Sequence, residues 1–232
     1  MSITLTPRLR LVAECVRQGS TVADIGTDHA YVPLYLIKSN ISPFAYACDI
    51  GEGPLLNAKK TVENENMSDK IKLVLSDGLD KLHENCADDI IIAGMGGEMI
   101  SDIIGRADWL KSPDIRLILQ PMTMHHLLRK SLALMGFEVT EEKYCAEGKR
   151  FYTVMVYKYT GKVHTPDPAF LYCGNAFESH SPLAKEYINR QKNKLTQQLN
   201  GMQASKSKDE NQINSTKEIL DSIERMINRG KN

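Results

Sequence analysis

Short apolar runs alternate with amphipathic segments over the first 160 residues. The apolar runs are bounded by Gly, Pro or Asp and have the length and composition of buried strands. They cover residues 21–25, 44–50, 71–76, 89–95 and 116–120. Helical segments are indicated from Thr6-Pro7 to Gly19 and over 31–39, 52–66, 98–104 and 124–134. This alternation predicts a parallel sheet that is covered by helices on both faces.

Two further strand-like runs, 137–144 and 151–159, follow each other closely. The second alternates larger side chains on one face, from Phe151 to Tyr159. Only residues 145–150 separate the two runs, which leaves no room for a crossover helix. The sheet is therefore predicted to have seven strands and to end in an antiparallel hairpin.

The C-terminal part has a different pattern. Residues 160–182 are rich in Pro, Gly and Ser and have the composition of a connector. Apolar residues then recur seven apart in two stripes, Ile188–Leu195–Met202 and Ile213–Leu220–Ile227, on either side of the polar stretch 204–210. We expect a coiled-coil-like antiparallel helical hairpin and a domain division into 1–160 and 161–232. A protruding hairpin is favoured over one packed flat on the main domain, because polar residues surround both stripes.

Composition excludes several classes of protein. The chain has 232 residues, 42% of them hydrophobic, with 29 basic and 29 acidic side chains, which is ordinary for a globular protein. The first ten residues lack the apolar core of a signal peptide, and the run 90–97 is too short to span a bilayer. Five scattered cysteines without a C-x-x-C pair fit a reducing compartment and argue against a zinc site. We therefore expect a cytoplasmic protein with no membrane segment and no metal.

Zero net charge conceals an asymmetry between the two ends of the chain. Residues 183–232 hold ten basic and six acidic side chains, whereas residues 1–182 hold 19 and 23. A basic appendage on an acidic body is a weak indication of nucleic-acid binding.

The first strand is followed by the most informative motif, in which Gly26-Thr27 lies between Asp24 and Asp28-His29. A glycine at this place lets the backbone turn sharply and approach a ligand. A dinucleotide site would require G-x-G-x-x-G there. Carboxylates repel a diphosphate but suit a ligand with an ammonium and a sulfonium group, such as S-adenosylmethionine. The alternative is that Asp24 caps the turn and Asp28 caps the next helix.

Acidic residues also end the second and third strands. Asp49, followed by Gly51, is placed to accept hydrogen bonds from ribose hydroxyls. Asp77 can accept from an adenine amino group, while the neighbouring Gly78 supplies a backbone donor. The carboxyl ends of parallel strands meet at one sheet edge, so these acids are predicted to lie together there.

The fourth strand ends in the glycine-rich stretch Ala93-Gly94-Met95-Gly96-Gly97. Such a stretch removes side chains where a planar base or a methyl donor would pass. An Asn/Asp-Pro-Pro-aromatic loop, usual in enzymes that methylate adenine N6, is absent here, which counts against methylation of an exocyclic amine.

Six segments carry a resemblance to a known family: DIGTDHAYVP (24–33), CDIGEGP (48–54), SDGL (76–79), IAGMGG (92–97), LILQP (117–121) and GKRFYTVMV (148–156). Together they resemble the bacterial tRNA (adenine-22-N1)-methyltransferases, the TrmK family. The resemblance runs through the N-terminal domain, and the helical hairpin agrees with that family's C-terminal region. It implies a class I methyltransferase fold: a Rossmann-like, mostly parallel seven-stranded sheet ending in an antiparallel hairpin, followed by a C-terminal helical coiled-coil hairpin.

The resemblance implies methyl transfer from S-adenosylmethionine to N1 of adenine 22 in the D-arm of tRNA. N1 has an in-plane lone pair, so it needs no deprotonation, but it must be freed from base pairing. Asp28 stands where the general methyltransferase loop has another glycine. We expect this residue to be catalytic, stabilising the charge that develops on the base.

Contacts with the substrate are assigned to two groups of residues. Tyr31 is a candidate for base stacking, along with Tyr35 and Trp109, and Gln120, Pro121 and Met122 are candidates for a base pocket. Arg129, Lys192, Lys194 and Lys206 are candidates for phosphate contacts. Packing aromatics and solvated helix charges are the alternatives.

Two other functions stay open at this point. A methyltransferase acting on another RNA, a protein or a small molecule would share the donor pocket. An enzyme that methylates a protein or a small molecule would be active without RNA. A non-enzymatic nucleotide-binding or interaction module would have no affinity for S-adenosylmethionine. The favoured partner is tRNA, bound by a monomer or weak dimer.

Overall fold

Seven strands form one sheet in the order β3-β2-β1-β4-β5-β7-β6. The computed structural model describes residues 3–205 and 207–229. The strands are β1 (Val22–Ile25), β2 (Ala45–Asp49), β3 (Ile71–Leu75), β4 (Asp89–Gly96), β5 (Arg116–Thr123), β6 (Phe137–Glu147) and β7 (Arg150–Tyr159). The helices are α1 (Pro7–Ala13), α2 (Tyr31–Lys38), α3 (Glu52–Asn64), α4 (Gly97–Gly105), α5 (His125–Leu134), α6 (Pro168–Cys173), α7 (Pro182–Ala204) and α8 (Glu210–Arg229).

The first five strands are parallel, as their apolar runs predict. β1 pairs with both β2 and β4, so the chain leaves the middle of the sheet in two directions. Ile90, Ile91 and Ile92 are all fully buried, which shows that β4 is covered on both faces. The carboxyl ends of β1 and β4 diverge where the strand order reverses, and this is where open α/β sheets bind ligands.

The predicted antiparallel hairpin is confirmed, but its placement is not the sequential one. β7 pairs with β5 on one side and with β6 on the other, so it lies between them and β6 forms the sheet edge. A register shift between Val139 and Glu141 bends β6. On this edge strand, Glu142 faces the C-terminal region and accepts from the Asn175 N–H at 3.1 Å.

The first helix starts as local capping rules predict. The hydroxyl oxygen of Thr6 accepts a hydrogen bond from the Leu9 N–H at 3.4 Å, and Pro7 is the first residue of α1. The helix ends at Ala13, however, and not at Gly19 as expected from the spacing of apolar residues. None of the helices in the described residues is both long enough and apolar enough to cross a membrane.

The predicted connector contains structure that its composition conceals. α6 and a 3-10 turn at Gly174–Phe177 lie within residues 160–182. Asp167 caps α6 by accepting from the Ala169 N–H at 2.8 Å, and the same carboxylate oxygen accepts from the Ser222 hydroxyl of α8 at 2.7 Å. The short helix thereby links the connector to the end of the chain.

The antiparallel pair of α7 and α8 is present, but it does not simply protrude. Ala184, Tyr187 and Ile188 of α7 are buried in one cluster with Tyr144 of the edge strand and Ile223 of α8. After Leu195, the described residues of α7 are exposed or half-buried. The base of the hairpin is thus seated on the main domain. The division of domains at residue 160 stays a prediction.

A buried ion pair lies where the hairpin meets the sheet. Arg129 of α5 donates from Nε to Glu142 Oε1 of β6 at 3.0 Å, and both side chains are fully buried. Arg129 also donates to the carbonyl oxygen of Leu171, while Tyr144 donates to Glu142. Burial alone would lower the pKa of Arg129, but the Glu142 carboxylate more than offsets this and holds that pKa above its usual range. The expectation that Arg129 binds phosphate is wrong, because no part of its side chain reaches solvent.

Replacing Arg129 with Met would leave the Glu142 carboxylate buried without its cation. We expect the free energy of unfolding, measured by urea denaturation at pH 7.5, to fall by about 3–5 kcal/mol. The matched control is Arg10→Met, which removes an exposed ion pair with Glu14 and should change little. A loss below about 1 kcal/mol for Arg129→Met would contradict the structural role assigned to this pair.

Candidate functional site

The loop between β1 and α2 has two left-handed residues that shape it. Gly26 has φ +79°, and the side chain of Met95 occupies the place that a Cβ would take. Ala30 has φ +54° although it is not a glycine, and its N–H donates to the Thr27 hydroxyl at 3.2 Å. A strained backbone of this kind is held only by its surroundings and is typical of functional loops.

Asp24 is a buried carboxylate at the end of β1. Desolvation by burial raises its pKa to about 6; a hydrogen bond with Thr27 and the positive charge of Arg8 act in the opposite direction, and the charge of Asp49 adds to the rise. The hydrogen bond with Thr27 agrees with a turn-capping role, and the raised pKa of a carboxyl group that lines a cavity also makes Asp24 a candidate binding residue.

Asp49 supports its own turn as well as facing a cavity. Its Oδ1 accepts from the Gly51 N–H at 2.7 Å, and a Cβ at Gly51 would lie only 3.2 Å from that same oxygen. A side chain at position 51 would thus crowd the turn that follows β2, while Asp49 itself lines the main cavity described below.

Asp77 has a cationic partner that the sequence did not reveal. Arg106, just after α4, donates to Asp77 Oδ1 at 2.9 Å and to Asp80 Oδ2 at 3.2 Å, and these acids raise the pKa of Arg106. Gly78 has φ +56°, and a Cβ there would lie 2.9 Å from Ile103. The negative charge of Asp77, just after β3, is therefore balanced in part by the guanidinium of Arg106.

Two cavities that share Gly26 open along this sheet edge. The main cavity has a volume of about 810 Å³ and the side cavity one of about 240 Å³. Of the residues predicted to bind a cofactor, the main cavity is lined by Gly26, Asp49, Asp77, Gly78 and Met95. The side cavity is lined by Asp24, Gly26, Thr27, His29 and Ala93, together with Asp28 and Tyr31. Gly51, Gly94 and Gly96 line neither of these two cavities.

Arg8 is the main residue that the sequence analysis missed. It comes from α1, lines the side cavity, and donates from Nη1 to Gln120 Oε1 at 2.7 Å. Its guanidinium lies over the Tyr152 ring, 5.7 Å from the ring centre. The Thr6-Pro7 pattern predicts only the start of a helix. No local pattern in the sequence indicates that Arg8 binds a partner more than 100 residues further along the chain.

Gln120 and Pro121 do not line a base pocket. Both are buried, and the Gln120 amide is engaged at both ends, accepting from Arg8 and donating to the Pro121 carbonyl at 2.9 Å. The expectation of substrate contact at these two residues is wrong for this reason. Gln120 instead positions Arg8.

Asp28, His29 and Tyr31 form the rim of the side cavity. His29 Nε2 lies 3.3 Å from Asp28 Oδ2, and the His29 ring stacks on Tyr31 with 5.0 Å between ring centres. Asp28 is two-thirds exposed and Tyr31 is 44% exposed, so both are accessible from solvent. Tyr35 and Trp109, the other two aromatic candidates, pack against the core clusters.

The glycines at the junction of β4 and α4 allow close packing more than passage of a ligand. A Cβ at Gly97 would collide with the backbone of Met124, and one at Gly96 would lie 3.3 Å from the Thr123 hydroxyl. Gly94, at φ +85°, lies near the Arg8 guanidinium. The stretch thus joins the end of β4 tightly to the start of α5.

Met122 and Lys194 line a third opening, of about 560 Å³, between α5 and α7. We call it the helix cleft; its walls are residues 122–126, Tyr172 and the 191–198 turns of α7. Lys192 does not face it but pairs with Glu224 of α8 at 2.9 Å. Lys206 lies outside the described residues.

The charges of the site match a zwitterionic ligand with a nucleoside part. Asp24 can hold an ammonium group and Arg8 a carboxylate across the side cavity, while Asp49 and Asp77 face the main cavity. Ile25, Ile50 and Met95 supply apolar walls. In the described part of the chain, no three His, Cys, Asp or Glu side chains are grouped so that they could hold a metal ion.

Comparison with known proteins agrees with this chemistry. Residues 5–155 match the family model described as a methyltransferase domain. Over 154 residues the chain is 36% identical to the tRNA (adenine(22)-N(1))-methyltransferase of Bacillus subtilis, an alignment covering 66% of this chain and 65% of the relative. The chain thus spans just under two thirds of the length of that curated relative.

Solved structures are similar over nearly the whole chain. The B. subtilis m1A22 tRNA methyltransferase TrmK superposes with a TM-score of 0.86 at 27% identity, covering 97% of this chain and 99% of that one. The Streptococcus pneumoniae protein Sp1610 in complex with S-adenosyl-L-methionine gives a TM-score of 0.81 at 28% identity, covering 97% and 100%. The likeness therefore includes the C-terminal helices.

The raised pKa of Asp24 predicts how stability depends on pH. Because the folded state binds this proton more tightly than the unfolded state, the contribution of Asp24 to stability falls as pH rises from about 4 to about 6. We expect Asp24→Asn to be more stable than the wild type at pH 7.5 by about 1–3 kcal/mol, an advantage that shrinks toward pH 4. Urea unfolding of both proteins between pH 4 and 8 measures this difference, and a less stable variant at pH 7.5 would contradict it.

Proposed function

We propose that this chain, which belongs to the methyltransferase-domain family, acts as a tRNA (adenine(22)-N(1))-methyltransferase and transfers a methyl group from S-adenosylmethionine to N1 of adenine 22 in the D-arm of tRNA. The fold, the site and the similarity of the C-terminal helices support this proposal. We also propose that the protein acts in the cytoplasm, together with tRNA, its proposed substrate.

One observation carries the donor assignment: a buried acid and an arginine line the same small cavity, which shares Gly26 with a larger, mostly apolar one. Asp24 and Arg8 fit the ammonium and carboxylate groups of the methionine part. The main cavity, with Asp49 and Asp77 at strand ends, fits the ribose and the adenine. A cavity of this volume is in the range of cofactor sites.

The residues of the chain bind and orient, and the donor supplies an electrophilic methyl group. Gly26, whose missing side chain makes room for Met95, lies between the two cavities, and Asp24 attracts the positive charge of the donor. Holding the methyl group in line with N1 of the base provides much of the rate acceleration. N1 attacks through its lone pair, so none of the residues has to remove a proton before the transfer.

Asp28 is placed to act on the methylated base. It lies on the rim of the side cavity, next to the position assigned to the methionine part and therefore near the reacting groups. Positive charge moves onto the adenine as the methyl group is transferred, and a carboxylate at this point stabilises that charge or accepts a proton from N6. His29 orients Asp28, and the exposed ring of Tyr31 offers a stacking surface for the base.

The proposal is tested by incubating the protein with labelled S-adenosylmethionine and total bacterial tRNA and identifying the methylated nucleoside. We expect 1-methyladenosine at position 22. For Asp28→Asn we expect kcat to fall about 100-fold with unchanged donor affinity, because only the charge formed in the transition state loses its partner.

Asp69→Asn, an exposed acid far from the loop, is the matched control and should behave as the wild type. Donor binding without labelling of RNA would redirect the search to protein or small-molecule acceptors. No donor binding at all would overturn the methyltransferase assignment, and normal turnover of Asp28→Asn at saturating donor would overturn the catalytic role of Asp28.

Arg8→Met tests the carboxylate contact. Because a hydrogen-bonded charge pair is lost, we expect the Kd for S-adenosylmethionine to rise about ten- to 100-fold while kcat at saturating donor changes little. Calorimetric titration measures the Kd. Arg10→Met, two positions further along the same helix and paired with Glu14, should leave the affinity as it is; an equal loss in both variants would refute the contact.

A further inference from the structure

The helix cleft is separate from the proposed donor site and shares no lining residue with its two cavities. One wall of the cleft is formed by the end of β5 and the start of α5, and the other by α7. Its volume is about 560 Å³. We propose that it binds a nucleotide of the RNA strand next to the adenosine that is methylated. This inference rests on the proposed function, since it presupposes an RNA substrate.

The cleft adjoins the donor site along the sheet edge. Met95 lines the main cavity and is paired in the sheet with Pro121, and the next residue, Met122, lines the cleft. Gly97 brings the start of α4 against the backbone of Met124, another residue of the cleft. A strand whose target base enters the donor site therefore has its neighbouring nucleotide within reach of the cleft.

One wall of the cleft is an aromatic stack. The rings of His126 and Tyr172 are 4.9 Å apart and nearly parallel, with 6° between their planes. Burial lowers the pKa of His125 to about 3 and also lowers the pKa of His126, and the positive charges of Arg129 and Lys194 act in the same direction, against the nearby Glu98 in the case of His126. Neutral imidazole and phenol rings form the kind of surface on which a base stacks.

The opposite wall offers polar groups without partners. Lys194 has no ion pair within the described residues, in contrast to Lys192, which is tied to Glu224. The amides of Gln191 and Gln198, one turn to either side of Lys194, likewise make no hydrogen bond inside the part of the chain that the structure describes. The ammonium group of Lys194 could bind a phosphate, and the flanking amides could form hydrogen bonds with the polar edge of a base.

The start of α5 adds a second anion-binding feature. Met124 has φ +54°, a conformation that is uncommon outside glycine, and no side chain caps the helix that follows. The first N–H groups of α5 are therefore not capped by a side chain. The start of this helix lines the cleft, and it carries the positive end of the helix dipole. Met122 and Met124 are both nearly half exposed, and they supply adaptable apolar contact on the same side.

Two substitutions separate the phosphate contact from the stacking contact. For Lys194→Met we expect tRNA binding to weaken about five- to tenfold and the slope of log Kd against log salt to decrease by about 0.7–0.9, the value for one phosphate. For Tyr172→Leu we expect at least about fivefold weaker binding with an unchanged salt slope, because stacking carries no charge. Lys185→Met, an exposed lysine of α7 outside the cleft, is the matched control.

Fluorescence titration of labelled tRNA at four salt concentrations gives both quantities, and calorimetry with S-adenosylmethionine confirms that the donor site of each variant is intact. Wild-type affinity and salt slope in Lys194→Met overturn the proposal, even if Tyr172→Leu fails to fold. Equal effects of Lys194→Met and Lys185→Met also overturn it, because the contact would then be general to the hairpin. If the wild-type protein binds tRNA but does not methylate it, the proposed function fails while the cleft is still judged by the variants.

Discussion

The buried ion pair of Arg129 and Glu142 holds three parts of the molecule together. Arg129 comes from α5, which follows the central parallel strands, and Glu142 comes from the edge strand of the antiparallel hairpin. Around them, the Leu171 carbonyl and the Tyr187 hydroxyl belong to the connector and to α7. Two buried charges are tolerable only when their remaining hydrogen bonds are satisfied, so this geometry allows little freedom to the C-terminal helices.

At the proposed donor site, by contrast, burial of the Asp24 carboxylate costs stability, and a bound cationic ligand would recover part of it. Asp24 is buried next to the acidic Asp49, and its raised pKa reports an unfavourable charge that a cationic ligand relieves. Arg8 offsets part of this charge and is itself held by Gln120. The N-terminal helix thus becomes part of the pocket, although the parallel sheet would be complete without it.

The two openings lie next to each other because the fourth and fifth strands end together. Glycines after β4 let α4 and α5 start in close contact, and the same contact separates the donor site from the cleft lined by His126, Tyr172 and Lys194. An RNA strand that follows α7 would meet the cleft, because Gln191, Lys194 and Gln198 of that helix line it. The proposed substrate and the proposed subsite are therefore consistent with one path.

The parallel strands, the antiparallel hairpin and the acids at the strand ends followed from the sequence alone, because burial on two faces, a six-residue link and a β–α turn are local patterns. The roles of charged and polar residues did not. Arg129 was assigned to phosphate and Gln120 to a base, and Arg8 and Arg106 were overlooked, because the function of such a side chain depends on partners that are distant in sequence. The seat of the hairpin and the insertion of β7 between β5 and β6 were likewise decided by tertiary packing, since an apolar stripe specifies that a face is buried but not what covers it.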